Sequence, residues 1–464
     1  VLSSQRNMLI WKASSLNINL ASLRYRCLIP LHYLELYGYQ SCIYSNCNAI
    51  RFDDNKSDVI IFVKSFARED LELAKKAHRL GIPVILDICD NIFIEEYTNR
   101  RDNIPAEIFK EMAKVSSAIV TTGIVLKNVI RKEVGESIPI FIIPDANETL
   151  KDVKQAMTFI KWRRWLKIVI YRPSSFWLSL KIVFEVKILS LIKKRYASIV
   201  FLYNENISKS RVSLNRLVNL GQVKASETKI TEANNNLTQE THTVTAVLPV
   251  TLIVKNKDIK QQYIEKFNQV SKHDKSSKSL SVKDNVKRII WFGHHGARYG
   301  NFGMLNILDI VEHLIKISNE INFTLLVVSN NYEKYSKHIL PLPFSTEYID
   351  WDPVNIYQHI SQSDVTIVPN SKTPFSISKS ANRTVLSLSL GVPVVATKTP
   401  ALKNFQNCIM CDEWEYGLRS YLNDRHLVNK HIEIAQSIIK QNYSGEAIAT
   451  QWVNALNQVN RKVV

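Results

Sequence analysis

The sequence predicts an α/β chain built on two doubly wound parallel sheets, and three observations carry that expectation. Short apolar runs alternate with helix-patterned segments of about 10 to 15 residues, as when crossover helices join parallel strands. The alternation occurs twice, over residues 8–143 and again from 286, with a polar stretch between. A chain of 464 residues is too long for one ordinary core, and 45% apolar residues are enough to build more than one.

In the first half, residues 8–11 read as a strand, followed by a polar loop at 12–19 and a helix over 22–36 that stops at Gly38. Strands at 41–44, 59–63, 84–87, 119–121 and 140–143 follow, with helical spacing at 68–80, 105–115 and 124–132 between them. Ligands in such sheets sit beyond the carboxyl ends of the strands. Those loops carry Ser14, Ser15, Arg24 and Arg26 after the first strand, and Asp90 with Asn91 after the fourth. Arg24 and Arg26 suit a phosphate, or are solvated helix charges. Asp90 suits a general base or a group that orients a hydroxyl. A cap or turn at Asp90–Asn91 accounts for the same residues.

The formal net charge is +18, which calls for an acidic partner such as lipid headgroups, nucleic acid or a phosphorylated substrate. Residues 161–195 hold ten lysines and arginines against Glu185 alone. Trp162, Arg163, Arg164, Trp165, Trp177, Lys193, Lys194 and Arg195 mix rings with cations, which suits an anionic membrane surface. Even-numbered apolar positions from Leu178 to Ile188 also fit an edge hairpin with a solvated basic face. Without a recognisable nucleic-acid module, nucleic acid is not expected as a partner. No apolar run reaches the roughly 18 residues of a spanning helix, and no signal segment is read at the start. Six scattered cysteines fit reduced thiols, and the Cys408–Cys411 pair lacks the further ligands of a zinc site. A cytoplasmic protein, peripheral on the inner membrane face and without bound metal, is the expectation. Residues 205–285 are polar and read as insertion and linker, with one possible strand at 244–254.

The second unit opens with a strand at 288–292 that runs into Gly293-His294-His295-Gly296-Ala297-Arg298 and on to Gly303, before helical spacing at 304–317. A strand, a glycine loop and a helix can cradle phosphate on backbone N–H groups, although the spacing matches neither the dinucleotide fingerprint nor the P-loop. Strands at 323–328, 345–349 and 365–368 and a helix at 354–362 come next. Residues 375–397 then give a helix, a stop at Gly391 and Pro393, and a buried strand at 394–396. Ala381, Val385 and Leu388 form its apolar stripe, and Ser376 or Ser378 its cap. Lys379, Ser380, Asn382 and Arg383 are expected in its first turn, where the dipole and two cations favour an anion. Helices at 426–441 and 447–459 finish the chain.

On the stretches 289–305, 362–370 and 379–397, and more weakly on 22–44, 84–93 and 118–130, the chain resembles the GT-B glycosyltransferases of the large group 1 family. The resemblance implies two Rossmann-like domains facing a cleft, a retaining and metal-independent hexosyl transfer, and a nucleotide-sugar as substrate with no cofactor. It divides the chain into an acceptor-side domain at 1–150 and a basic insertion and linker at 151–285. A nucleotide-sugar domain at 286–435 follows, then helices at 436–464 that pack back on the first domain. It implies Arg298 and Lys379 or Arg383 on the diphosphate, and Gly293, His294 and Gly296 for close backbone approach. Ser380 and Asn382 would contact phosphate or sugar, Asp90 would join Arg298 and Lys379 in catalysis, and Ser15, Arg24, Arg26 and Asn91 would line the acceptor side. A lipid-linked or polysaccharide acceptor follows, in polysaccharide biosynthesis. One departure stands out: many members carry a glutamate at the position of Leu386 and an acidic residue at that of Ser378. A non-catalytic scaffold of the same fold is the competing reading.

Overall fold

The structure, a computed structural model, describes residues 8–52, 59–94, 104–171, 286–294, 296 and 302–460; in the helix at 150–171 the side chains are described through Ile160. One compact unit comprises Val1–Trp165 with Asp284–Val464, and Leu166–Lys283 form a second.

The first sheet takes β1 (Met8–Ala13), β2 (Gln40–Tyr44), β3 (Val59–Val63), β4 (Val84–Ile88), β5 (Ala118–Thr121) and β6 (Ile140–Ile142) in the order β2-β1-β3-β4-β5-β6. Every pairing is parallel. Strands covered on both faces must be apolar on both, and β3 and β4 have no exposed residue. The second sheet takes β7 (Lys287–Phe292), β8 (Phe323–Ser329), β9 (Ser345–Asp350), β10 (Val365–Val368), β11 (Val394–Ala396) and β12 (Met410–Cys411) in the order β12-β11-β10-β7-β8-β9, again all parallel. The strand order reverses between β1 and β3 in one sheet and between β7 and β10 in the other. Those switch points are where open α/β sheets hold ligands.

The helix expected over 22–36 forms, with a distortion. Ala21–Leu23, a π-helical stretch Arg24–Leu28 and Ile29–Glu35 make up one helix, α1. Pro30 cannot donate a backbone bond and its ring crowds the preceding turn. The widened turn, with Ile29 N–H donating to Arg24 O, absorbs that conflict. The remaining crossover helices of the first domain are α2 (Arg68–Arg79), α3 (Ile104–Ala113) and α4 (Ile124–Val134).

Two elements tie the domains together. The helix α5 (Leu150–Tyr171) was expected to open the insertion at 151, yet its first half is core. Val153 packs with Ile290 and Phe292 of the second sheet, while Ala156 and Ile160 pack with Trp11 of the first. The compact unit therefore continues to Trp165. At the other end α11 (Arg425–Asn442) buries Ala435 and Ile439 in the second domain, so the boundary drawn at 435 falls inside a helix. The chain crosses at Tyr443, whose carbonyl accepts a 2.6 Å bond from Asn147 N–H. The last helix, α12 (Gly445–Asn460), then lays Ile448, Trp452 and Leu456 against the first domain. Trp452 meets Trp11 edge-on at 5.2 Å. Gly445 starts α12 against Tyr33, where a Cβ would lie 2.2 Å from the ring.

Candidate active site

The glycine loop after β7 and the segment after β10 lie side by side because β7 and β10 are neighbours. Gly296 has φ +92°, and a Cβ there would stand 2.1 Å from Phe302 O, so the turn admits glycine alone. Its N–H donates to His294 Nδ1 at 3.1 Å. That bond leaves the imidazole proton on Nε2. Partial burial and the neighbouring Lys379, Lys334 and Lys64 lower the His294 pKa, so the ring is neutral at pH 7. His295 and Arg298 lie outside the described residues.

The segment expected as one helix from 376 is broken. Thr373 caps a single turn at Pro374–Ile377, and a separate helix, α9, spans Asn382–Ser389; α6 (Val311–Ser318), α7 (Tyr332–His338) and α8 (Ile356–Ser361) precede it, and α10 (Trp414–Asn423) follows it. Neither serine caps α9: Ser376 Oγ pairs with Ser371 Oγ, and Ser378 Oγ donates to Phe375 O. Lys379 and Ser380 consequently sit in the turn before α9, and only Asn382 and Arg383 in its first turn. Ala381, Val385 and Leu388 are buried against the sheet as a stripe.

Lys379 Nζ lies 4.0 Å over the Phe375 ring and ion-pairs with Asp90 of the loop after β4. Asp90 also pairs with Lys64, which follows β3 directly in a left-handed conformation, φ +47°. Such a conformation is uncommon for lysine and marks a site held by its surroundings. Next to Lys379, Ser380 Oγ donates to Asp145 Oδ2 at 2.5 Å. Arg383 is partly buried, with its guanidinium 5.9 Å over Trp291 and its Nη1 3.6 Å from where a Gly293 Cβ would stand. Among the described residues it has no carboxylate partner. Burial lowers its pKa to about 10, so it remains a cation at neutral pH. Asn382 is partly buried at the start of α9.

The first-domain candidates need correction. Arg26 is 1% exposed and clamps Asp87 with two bonds, Nε to Oδ1 at 3.0 Å and Nη2 to Oδ2 at 2.6 Å. Its Nη1 donates to Ile143 O and Pro144 O. Arg24 is equally buried, with Nε on Glu148 at 2.6 Å and Nη1 on Ile18 O. Neither is solvated: both are internal ion pairs, and Arg26 commits Nε, Nη1 and Nη2 to acceptors inside the protein. Asn91 is buried and its side chain accepts from Phe93 N–H, which is the turn role. Ser15 accepts from Asn17 N–H in a similar local turn. The general-base role for Asp90 also fails. Burial works against its charge, but Lys379 and Lys64 overcome that and hold the pKa well below the aspartate range. A carboxylate so stabilised takes up protons poorly.

Lys64 and Asp145 were not anticipated. Lys64 lines a cavity of about 590 Å³ at the carboxyl ends of β1 and β3, with Ser14, Ser45, Asn48, Ser65 and Phe66 among its walls. A lone lysine after an apolar strand carries no signal by itself; its meaning comes from the β1/β3 switch point. Of the basic aromatic segment, Trp162 to Trp165 lie on the backbone of α5 with side chains outside the description, and Trp177, Lys193, Lys194 and Arg195 are outside the described residues. Among the described residues no cluster of three His, Cys, Asp or Glu side chains could hold a metal ion, and no helix is long and apolar enough to cross a membrane.

No family model and no curated protein matches the sequence. Solved structures do. Sucrose-phosphate synthase from Thermosynechococcus elongatus aligns over 98% of this chain and 100% of its own, at 9% identity and TM-score 0.51. A UDP-bound TarM mutant from S. aureus aligns over 92% of this chain but 58% of its own, at 10% identity and TM-score 0.44. UDP-GlcNAc 2-epimerase from Neisseria meningitidis bound to UDP-GlcNAc aligns over 97% and 100%, at 12% identity and TM-score 0.43. The full-length likeness to the synthase, together with two six-stranded parallel sheets, gives the chain the GT-B glycosyltransferase fold.

Proposed function

We propose that the chain is a glycosyltransferase that moves a hexosyl group from a nucleotide-sugar to a lipid-linked or glycan acceptor, without a metal, at the inner face of the plasma membrane in polysaccharide biosynthesis. The observation that supports it most is Arg383, a partly buried guanidinium against Gly293 with no carboxylate partner among the described residues. A cation desolvated without compensation is retained where an anion is to be received. Gly293 and Gly296, whose N–H groups are bonded to Val328 O and His294 Nδ1, leave a ligand room there, and Lys379, His294 and the N-terminal turn of α9 stand around it. In this reading they stabilise the charge that develops on the departing diphosphate. Ser380 and Asn382 contact phosphate or sugar, Arg298 adds a further cation, and the cavity beside Lys64 receives the acceptor.

Calorimetric titration with nucleotide-sugars tests the site: Lys379→Ala and Arg383→Ala should each bind at least about tenfold more weakly than the parent. Equal affinity would remove the site from this place.

A non-catalytic scaffold is the second reading, favoured by one observation. Leu386 packs among Ile290, Phe292, Tyr357 and Val392, and Ser378 is satisfied within its own turn. No acidic side chain thus stands where the resemblance expects the ribose to be held. Product formation from any activated sugar excludes the scaffold.

A further inference from the structure

Lys379 and Ser380 are consecutive residues of the second domain, and each is engaged by a carboxylate of the first, Lys379 by Asp90 and Ser380 by Asp145. Each carboxylate also has a cation of its own domain, Lys64 for Asp90 and Arg26, at 3.6 Å, for Asp145. Two anionic groups therefore already occupy donors that the proposed site would offer to a diphosphate. Asp90 is the consequential one, because its partner across the cleft is charged while Ser380 is not. Without an anion between them, the ammonium groups of Lys64 and Lys379 would repel across the cleft.

Resting on the donor-site reading above, we propose that Asp90 stands in for a donor phosphate: a resident anion that a diphosphate displaces from Lys379 and that then remains on Lys64. The exchange makes Asp90 a determinant of specificity. A ligand with little charge gains too little from Lys379 and Arg383 to offset the ion pair it breaks, whereas a diphosphate meets both cations at once. Occupancy also changes the link between the domains, from a carboxylate–lysine pair to a pair through the ligand. Lys64 is then a positioning residue: it retains the displaced carboxylate.

Titration calorimetry of the full chain with inorganic pyrophosphate at fixed ionic strength tests this. Asp90→Asn should bind pyrophosphate about tenfold more tightly than the parent, or better. Lys64→Met should bind it more weakly, since Asp90 then rests on Lys379 alone. The double variant should bind about as tightly as Asp90→Asn, because Lys64 acts only through the carboxylate it retains. A mere change of field predicts instead that the two substitutions cancel and the double variant falls back to the parental affinity, and that result overturns the proposal. If the parent binds pyrophosphate and folded Asp90→Asn binds it no more tightly, the stand-in role is wrong and the donor site remains. If neither binds it, the donor-site reading falls and takes the stand-in with it. Should Asp90→Asn not fold, Lys64→Met decides: affinity at or above the parent's overturns the proposal.

Discussion

Lys379 and Asp90, 289 positions apart in the chain, form an ion pair across the cleft between the two sheets. The pair joins the loop after β4 to the turn before α9, so the carboxyl ends of the two sheets share one polar centre.

The pH response of that pair follows from the depressed pKa of Asp90, where burial is outweighed by Lys379 and Lys64. A depressed carboxylate contributes stability that is fully present above its unfolded pKa and is lost as pH falls through the folded value. The urea midpoint of the parent should exceed that of Asp90→Asn by a constant margin from pH 8 to about 5, and the margin should shrink only below about pH 4. A margin that grows as pH falls from 7 to 5 would mean a raised pKa and would restore the general-base role.

Arg383 should show the opposite balance between function and stability. Its charge is desolvated beside Trp291 without a carboxylate among the described residues. Arg383→Met keeps most of the apolar contact and removes the charge. It should leave the melting temperature unchanged or raise it, while nucleotide-sugar binding falls at least about tenfold. A lower melting temperature with unchanged binding would make Arg383 a structural residue.

Arg26 should behave as structure. Removing one partner of a buried pair leaves an uncompensated charge, and Arg26→Ala should cost about 3–5 kcal/mol through Asp87. Arg26→Ala with Asp87→Ala should recover part of that loss, which a double-mutant cycle in urea reads directly. If Arg26→Ala folds with parental stability and loses only acceptor affinity, the arginine is a ligand after all.

The strands were legible because parallel strands covered on both faces must be apolar runs, and Val59–Val63 or Val394–Ala396 can be nothing else. The two-residue β12 is too short to leave such a run, and the helix α7 at Tyr332–His338 is too polar to show a helical stripe. Arg24 and Arg26 were misread for a different reason. A phosphate-binding arginine and a buried ion-paired one look alike until Glu148 and Asp87, 124 and 61 positions away, come alongside. The segment around Lys379 was legible as cationic, but not its break at 378–381, which Thr373 and Pro374 impose by capping an earlier turn.

The glycine loop makes its own prediction. A methyl group at Gly296 would meet Phe302 O at 2.1 Å in a backbone region that L-residues rarely adopt. Gly296→Ala should therefore shift the loop, releasing His294 Nδ1 from its N–H, and weaken pyrophosphate binding with a cost in stability of about 1–3 kcal/mol. Parental pyrophosphate affinity in this variant would show that the loop takes no part in holding the anion.

The membrane role proposed for residues 161–195 is best tested by removing charge rather than chain. Deletion from 161 would cut α5, whose Val153, Ala156 and Ile160 are core, and a misfolded product would mimic lost binding. Replacing Arg163, Arg164, Lys193, Lys194 and Arg195 by glutamine leaves that helix intact. Each basic residue near an anionic surface contributes about 1 kcal/mol, so the variant should partition onto mixed phosphatidylcholine–phosphatidylserine vesicles at least about a hundredfold more weakly. The parent should release from those vesicles as salt rises, because the attraction is screened. Emission from Trp162, Trp165 and Trp177 should shift to the blue on binding, since the rings leave water for the headgroup layer. Equal co-sedimentation of variant and parent would leave the segment as a solvated basic face with no part in anchoring.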